Sequence, residues 1–160
     1  MVPSKVFLGT ASSHAAILGL STSVYFDPAI HKTLSAYMSA KIALTRLLEY
    51  ISEENPSVFT AALNPGLIKT PMVAKFGGKL ESVQFDSGIC SPVHGIEIEL
   101  TTAAELPADF TVWLSSKEAS FLDGRYVTAN WDVDELKARA EEIKAGSLLT
   151  TNILGWPFSP

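Results

Sequence analysis

The sequence predicts an α/β fold built on an open, doubly wound parallel sheet, and three observations predict it. Residues 6–11 (VFLGTA) and 58–63 (VFTAAL) are short runs apolar on both faces, as parallel strands covered by helices on both sides require. Between them an amphipathic helix fits from Leu34 or Ser35 to about Glu53, with Ile42, Leu44, Leu47, Leu48 and Ile51 as a broad buried face. Pro65 and Gly66 then stop the second run in a turn at the strand's carboxyl end, which is where ligands bind in such sheets.

Size and composition agree with one domain. The chain has 160 residues, 47% of them hydrophobic, enough for a real core. Only 18% are charged and the mean hydropathy is positive, which argues against disorder. A formal charge of −5 leaves no basic footprint, so nucleic acid and anionic membrane surfaces are poor partners and small molecules suit the chain better. The single cysteine, Cys90, has no internal partner and fits a reducing compartment. The first residues, MVPSKVFLG, lack the order of a secretory leader, and no run of about 18 apolar residues marks a membrane span, so the expectation is a soluble, cytoplasmic protein.

Taken in order, residues 6–11 end in two hydroxyls, Ser12 and Ser13, and residues 20–30 read as a long loop. Tyr37 and Lys41 come at the start of the helix, four residues apart and so stacked on one face, about 6 Å between Cβ atoms. A phenol exchanges protons near neutrality only where something favours its phenolate, and a fixed ammonium on the same face is such a feature. Tyr and Lys are common, and alone the pair is more often coincidence than site. The neighbouring elements give the pair its weight: Asn55 and Pro56 end the helix, residues 58–63 run extended, and Asn64, Pro65, Gly66, Leu67, Ile68, Lys69 and Thr70 form the turn. Thr70 before Pro71 also reads as a plain helix cap, and Ser12 and Ser13 as strand-end hydroxyls without chemistry.

A serine closing one strand, a YxxxK opening the next helix and a PGxxxT loop after the next strand, in that order, resemble the catalytic half of a short-chain dehydrogenase/reductase. Residues 106–136 (LPADFTVWLSSKEASFLDGRYVTANWDVDEL) resemble fungal members of that family. The resemblance implies a partial Rossmann-like sheet, with residues 1–160 a single C-terminal portion of the domain and lacking the dinucleotide-binding strands. No Gly-rich turn of the dinucleotide-binding kind occurs in the chain. It also implies that Ser12 hydrogen-bonds the substrate oxygen, Tyr37 is the acid/base, Lys41 holds the nicotinamide ribose, and Ile68 and Thr70 meet the carboxamide. Matching Ser12, Ser13, His14, Ala15 and Ala16 to the family's Ser-Ser-Gly-Ala-Ala wording would choose Ser13 instead. From Ser12 to Tyr37 is 37 − 12 = 25 positions, longer than the family's usual separation, and residues 88–99 depart from the family's wording, so the stretches near 20–30 and 86–103 read as loop insertions or as errors of gene reading.

The implied cofactor is NADP or NAD, and the implied substrate a small carbonyl or alcohol, with a place in fungal secondary metabolism. The implied partner is a second copy or a full-length member of the family. Two function classes are open: an NAD(P)-dependent oxidoreductase, or an inactive remnant that serves only as a structural or interaction protein. Metal dependence is not expected, because His14, His31 and His94 are scattered and one cysteine makes no zinc spacing. A serine hydrolase is excluded by the lack of a G-x-S-x-G elbow.

The rest of the chain reads as a short helix after Pro71 closed by Gly77 and Gly78, then an aperiodic stretch over 79–105. A helix with Pro107 in its first turn should pack through Phe110, Val112, Trp113 and Leu114. A last strand over 124–130 enters by an Asp123-Gly124 turn, and a charged helix capped by Asp132 with Glu135 runs to Ala145 and stops at Gly146. The apolar tail over 148–158 is expected to dock, and Tyr25, Tyr50 and Tyr126 to serve packing or loops. Without a Gly-rich turn to hold the pyrophosphate, residues 1–160 alone are expected to bind reduced nicotinamide cofactor weakly. Tight, saturable quenching of tryptophan fluorescence by added NADPH would contradict this.

Overall fold

The computed structural model describes residues 15–22, 34–66, 68 and 104–153. The sequence-predicted strand over 6–11, Ser12, Ser13, Thr70, Cys90, the three histidines, the segment from Pro71 to Gly78 and the stretch 86–103 lie outside them.

Three strands, β1 (Ala15–Leu20), β2 (Val58–Asn64) and β3 (Arg125–Thr128), form a parallel sheet in the order β1-β2-β3. Ala15 pairs with Val58 and Leu20 with Leu63, while Ala61 pairs with Arg125 and Asn64 with Thr128. Every residue of β2 is buried. Its side chains alternate between two layers, as strand geometry dictates. Phe59, Ala61 and Leu63 join the larger core with Phe110, Leu114, Phe121, Leu122 and Val127. Ala62 faces the other way, with Leu48 and Tyr126, and the Thr60 hydroxyl donates to the Leu48 carbonyl on that side at 2.9 Å. The sheet is therefore covered on both faces, as a partial Rossmann-like fold requires.

Helix α1 (Ser35–Glu54) connects β1 to β2 and packs on one face. Its end is the one expected: Asn55 comes next, and its side-chain amide donates to the Ile51 carbonyl at 2.9 Å. The buried stripe is narrower than the sequence suggested. Thr45 and Leu48 are buried and Leu44 and Ile51 partly so, whereas Ile42 and Leu47 are 43% and 54% exposed. Leu44, Leu48 and Ile51 follow the helical repeat on one side, and Ile42 and Leu47 fall off it. The approach to β1 is close: a Cβ on Gly19 would lie 2.5 Å from Leu48 Cδ1.

Helix α2 (Glu105–Leu114) buries Pro107, Phe110 and Leu114. Val112, expected in the core, is 72% exposed, because it points away from the i, i+4 pair Phe110 and Leu114. A short 3-10 helix (Lys117–Leu122) leads into the Asp123-Gly124 turn. That turn is clipped to both backbone groups of one β2 residue: Thr60 N–H donates to Asp123 Oδ1 at 2.8 Å, and Gly124 N–H to the Thr60 carbonyl at 2.8 Å.

The expected single charged helix is two, α3 (Val133–Ala138) and α4 (Ala140–Ala145), broken at Arg139, whose N–H is shared between the carbonyls of Glu135 and Leu136. The cap is as read from sequence, with Asp132 Oδ1 accepting from the N–H groups of Asp134 and Glu135. Beyond Gly146 the described part of the tail is docked. Leu148 and Leu149 pack on the larger core, and the Tyr126 N–H donates to the Leu149 carbonyl at 2.8 Å. Thr151 binds the Glu49 carboxylate through both its N–H and its hydroxyl, at 2.6 and 2.9 Å, and Arg46 joins the same carboxylate.

Gly124 has φ of +67°, and a Cβ there would meet the Ser52 side chain at 3.1 to 3.2 Å. Gly124→Ala is expected to cost about 1–2 kcal/mol, read as a lower midpoint in urea unfolding.

Candidate functional site at the carboxyl end of the sheet

The parallel strands all end on one side, and the first two turns of α1 stand over that side next to β1. Tyr37 and Lys41 are both partly buried there. The Lys41 ammonium lies 5.7 Å from the centroid of the Tyr37 ring and donates to the carbonyl of Leu20, the last residue of β1, at 2.7 Å. The helical spacing read from sequence thus brings the phenol and the ammonium together, and the ammonium is anchored to the end of a strand. One of its three N–H donors holds that carbonyl, which leaves two for other acceptors.

The residues after Leu20 are held just as closely. Ser21 is 4% exposed, its N–H donates to the Leu63 carbonyl at 2.7 Å, and its hydroxyl shares a 2.9 Å hydrogen bond with that of Thr45. Thr45 in turn donates to the Lys41 carbonyl at 3.0 Å. Thr22 is partly exposed, and its carbonyl accepts from the Tyr126 hydroxyl at 2.8 Å.

At the end of β2, Asn64 Oδ1 accepts from the Gly66 N–H at 3.1 Å, and Gly66 has φ of +79°, so the Asn-Pro-Gly turn closes on its own side chain. Ile68 is partly buried beyond it. At the end of β3, Thr128 Oγ1 and Asn130 Oδ1 are buried without a hydrogen-bond partner. Among the described residues no group of three or more His, Cys, Asp or Glu could hold a metal ion, and no helix is long and apolar enough to cross a membrane.

Of the residues singled out by sequence, the structure brings Tyr37 and Lys41 together and places Ile68 after the turn. Ser12 precedes β1, and with Thr70 it lies outside the described residues. The hydroxyls that close the strand beside β2 are instead Ser21 and Thr22. A signal for them existed: residues 15–20 (AAILGL) are as apolar as residues 6–11, and from Ser21 to Tyr37 is 37 − 21 = 16 positions against 25 from Ser12. Tyr126, read as packing, also reaches the site.

No family model matches the chain. Among curated proteins it is similar to a short chain dehydrogenase of Monascus purpureus, 34% identical over 122 residues, 75% of this chain and 36% of the relative. A short chain dehydrogenase/reductase of Claviceps purpurea is 30% identical over 157 residues, 94% of this chain and 47% of the relative. One from Aspergillus novofumigatus is 33% identical over 150 residues, 87% of this chain and 44% of the relative. The chain spans less than half the length of each of these three. Alignment with fungal proteins of one kind over most of its residues, together with a covered parallel sheet, shows that the chain belongs to the short-chain dehydrogenase/reductase family.

Proposed function

We propose that these residues form the substrate side of an NAD(P)-dependent oxidoreductase that interconverts a carbonyl and an alcohol on a small molecule, within fungal secondary metabolism and in the cytoplasm. The observation that carries this reading is the Tyr37 and Lys41 pair on one helix face, with the ammonium anchored at the carboxyl end of β1. The donor set suits the nicotinamide end of NADP or NAD: Lys41 keeps two N–H donors for ribose hydroxyls, and Ile68 and Thr70 are the residues proposed to meet the carboxamide. The cofactor supplies the hydride acceptor or donor. Tyr37 gives a proton to the substrate oxygen in reduction and takes it back in oxidation, an acid/base contribution typically worth about 10² to 10⁴ in rate.

A second donor to the substrate oxygen would hold developing charge there. The family resemblance offers Ser12 for it, or Ser13 by the Ser-Ser-Gly-Ala-Ala match. Thr22, a partly exposed residue at the strand exit, carries another hydroxyl, while the Ser21 hydroxyl is buried against Thr45.

A second copy, or a full-length member of the family, is the proposed partner. Ala36, Ala40, Ala43, Leu47 and Tyr50 repeat at spacings of four and three along α1 and are all exposed, the pattern of a helix seam. Leu47→Glu is expected to shift the sedimentation of the protein to that of a monomer. An unchanged coefficient would remove this face as the contact.

Carbonyl-dependent oxidation of NADPH or NADH by the protein carrying these residues is the direct test. Tyr37→Phe is expected to lower turnover by about 10²-fold or more, and a variant retaining the parent rate would overturn the reading. Ser12→Ala and Thr22→Val separate the two hydroxyls: the one that serves the substrate oxygen loses about 10²-fold in kcat, and the other changes little.

A further inference from the structure

We propose that Tyr126 is a positioning residue for the site, a strap from β3 that fixes the exit of β1 opposite Tyr37 and Lys41. Three consecutive residues at that exit are each held by a different element. The Leu20 carbonyl is held from α1 by Lys41, the Ser21 N–H from β2 by the Leu63 carbonyl, and the Thr22 carbonyl from β3 by the Tyr126 hydroxyl at 2.8 Å. Tyr126 stands opposite Ala62 of β2 in the register and packs with Ala62 and Leu48. Its hydroxyl meets the chain at Thr22, beside the first strand of the sheet, although β3 itself pairs only with β2 among the described residues.

The ring is well fixed for such a task. Tyr126 is 6% exposed, Trp131 meets it edge-on with centroids 6.3 Å apart, and its backbone N–H is tied to the Leu149 carbonyl. A phenylalanine would fill the same space, so packing alone does not call for the hydroxyl. What the oxygen adds is a grip on the peptide that leads from β1 past the site. Held there, the Thr22 backbone stays in place relative to Lys41, whose ammonium is anchored only two residues earlier. The geometry of a reacting group set by such a peptide matters because small displacements in a site cost large factors in rate.

The effect on turnover rests on the oxidoreductase reading above, whereas the effect on the strand exit does not. Tyr126→Phe therefore needs two measurements on the whole protein that carries these residues. In hydrogen exchange, the Ser21 amide is expected to exchange roughly fivefold to tenfold faster than in the parent protein, while the Ala129 amide, bound to the Asn64 carbonyl, keeps its rate. In turnover with NADPH and a carbonyl substrate, kcat is expected to fall about tenfold with KM for NADPH within about twofold of the parent.

An unchanged Ser21 rate, or equal acceleration at Ser21 and Ala129, would overturn the strap, the latter by showing only general destabilisation. Faster exchange at Ser21 with an unchanged kcat would keep the strap and overturn its role in positioning. A parent protein without any nicotinamide-dependent turnover would sink the oxidoreductase reading instead, and the exchange rates alone would then decide whether Tyr126 fixes the strand exit.

Discussion

The constraint on which the structure depends is the complete burial of β2. Seven consecutive buried residues must have their backbone N–H and C=O groups paired on both edges, since an unpaired buried amide costs as much as a lost hydrogen bond. Two neighbours are therefore obligatory, and β1 and β3 provide them. Because both run parallel to β2, all three strands finish on the same side. The site is a by-product of that rule: the three strand ends lie on one side of the sheet, and the first turns of α1 are tied to the end of β1 there.

The seam between α1 and the sheet is partly built from hydroxyls. Thr60 donates to the Leu48 carbonyl, and Ser21 and Thr45 bond each other under the Lys41 carbonyl. Such groups are costly when buried unless satisfied, and here each has a partner. In return they fix the rotation and height of α1 over the strands more specifically than aliphatic packing would. Gly19 adds to this by leaving room for Leu48 to lie directly on β1. A helix held in this way presents Tyr37 and Lys41 with little freedom.

Much of this was legible in the sequence, for local reasons. The four-residue spacing of Tyr37 and Lys41, the Asn55-Pro56 stop, the Asn64-Pro65-Gly66 turn, the Asp123-Gly124 turn and the Asp132 cap are each decided by a few adjacent residues, and the structure has them all. β1 was harder. Residues 6–11 and 15–20 are both short apolar runs, and only pairing with β2, beyond the whole of α1, shows that the second run lies beside it. Periodicity likewise overstated the core at Ile42, Leu47 and Val112, because a hydrophobic residue off the buried stripe reads the same as one on it. The reach of Tyr126 to Thr22 joins residues 104 positions apart, and no local pattern encodes it.

The clasp of Thr151 on Glu49 and Arg46 has a consequence for how the chain is made. The central strand has one edge open until β3 has been synthesised, and α1 lacks its last tether until Thr151 has left the ribosome. Contacts this distant in sequence close late and slowly. A nascent chain stalled before Arg125 would show an apolar edge to whatever surrounds it, so its yield in a cell should depend on chaperones that shield strands during translation.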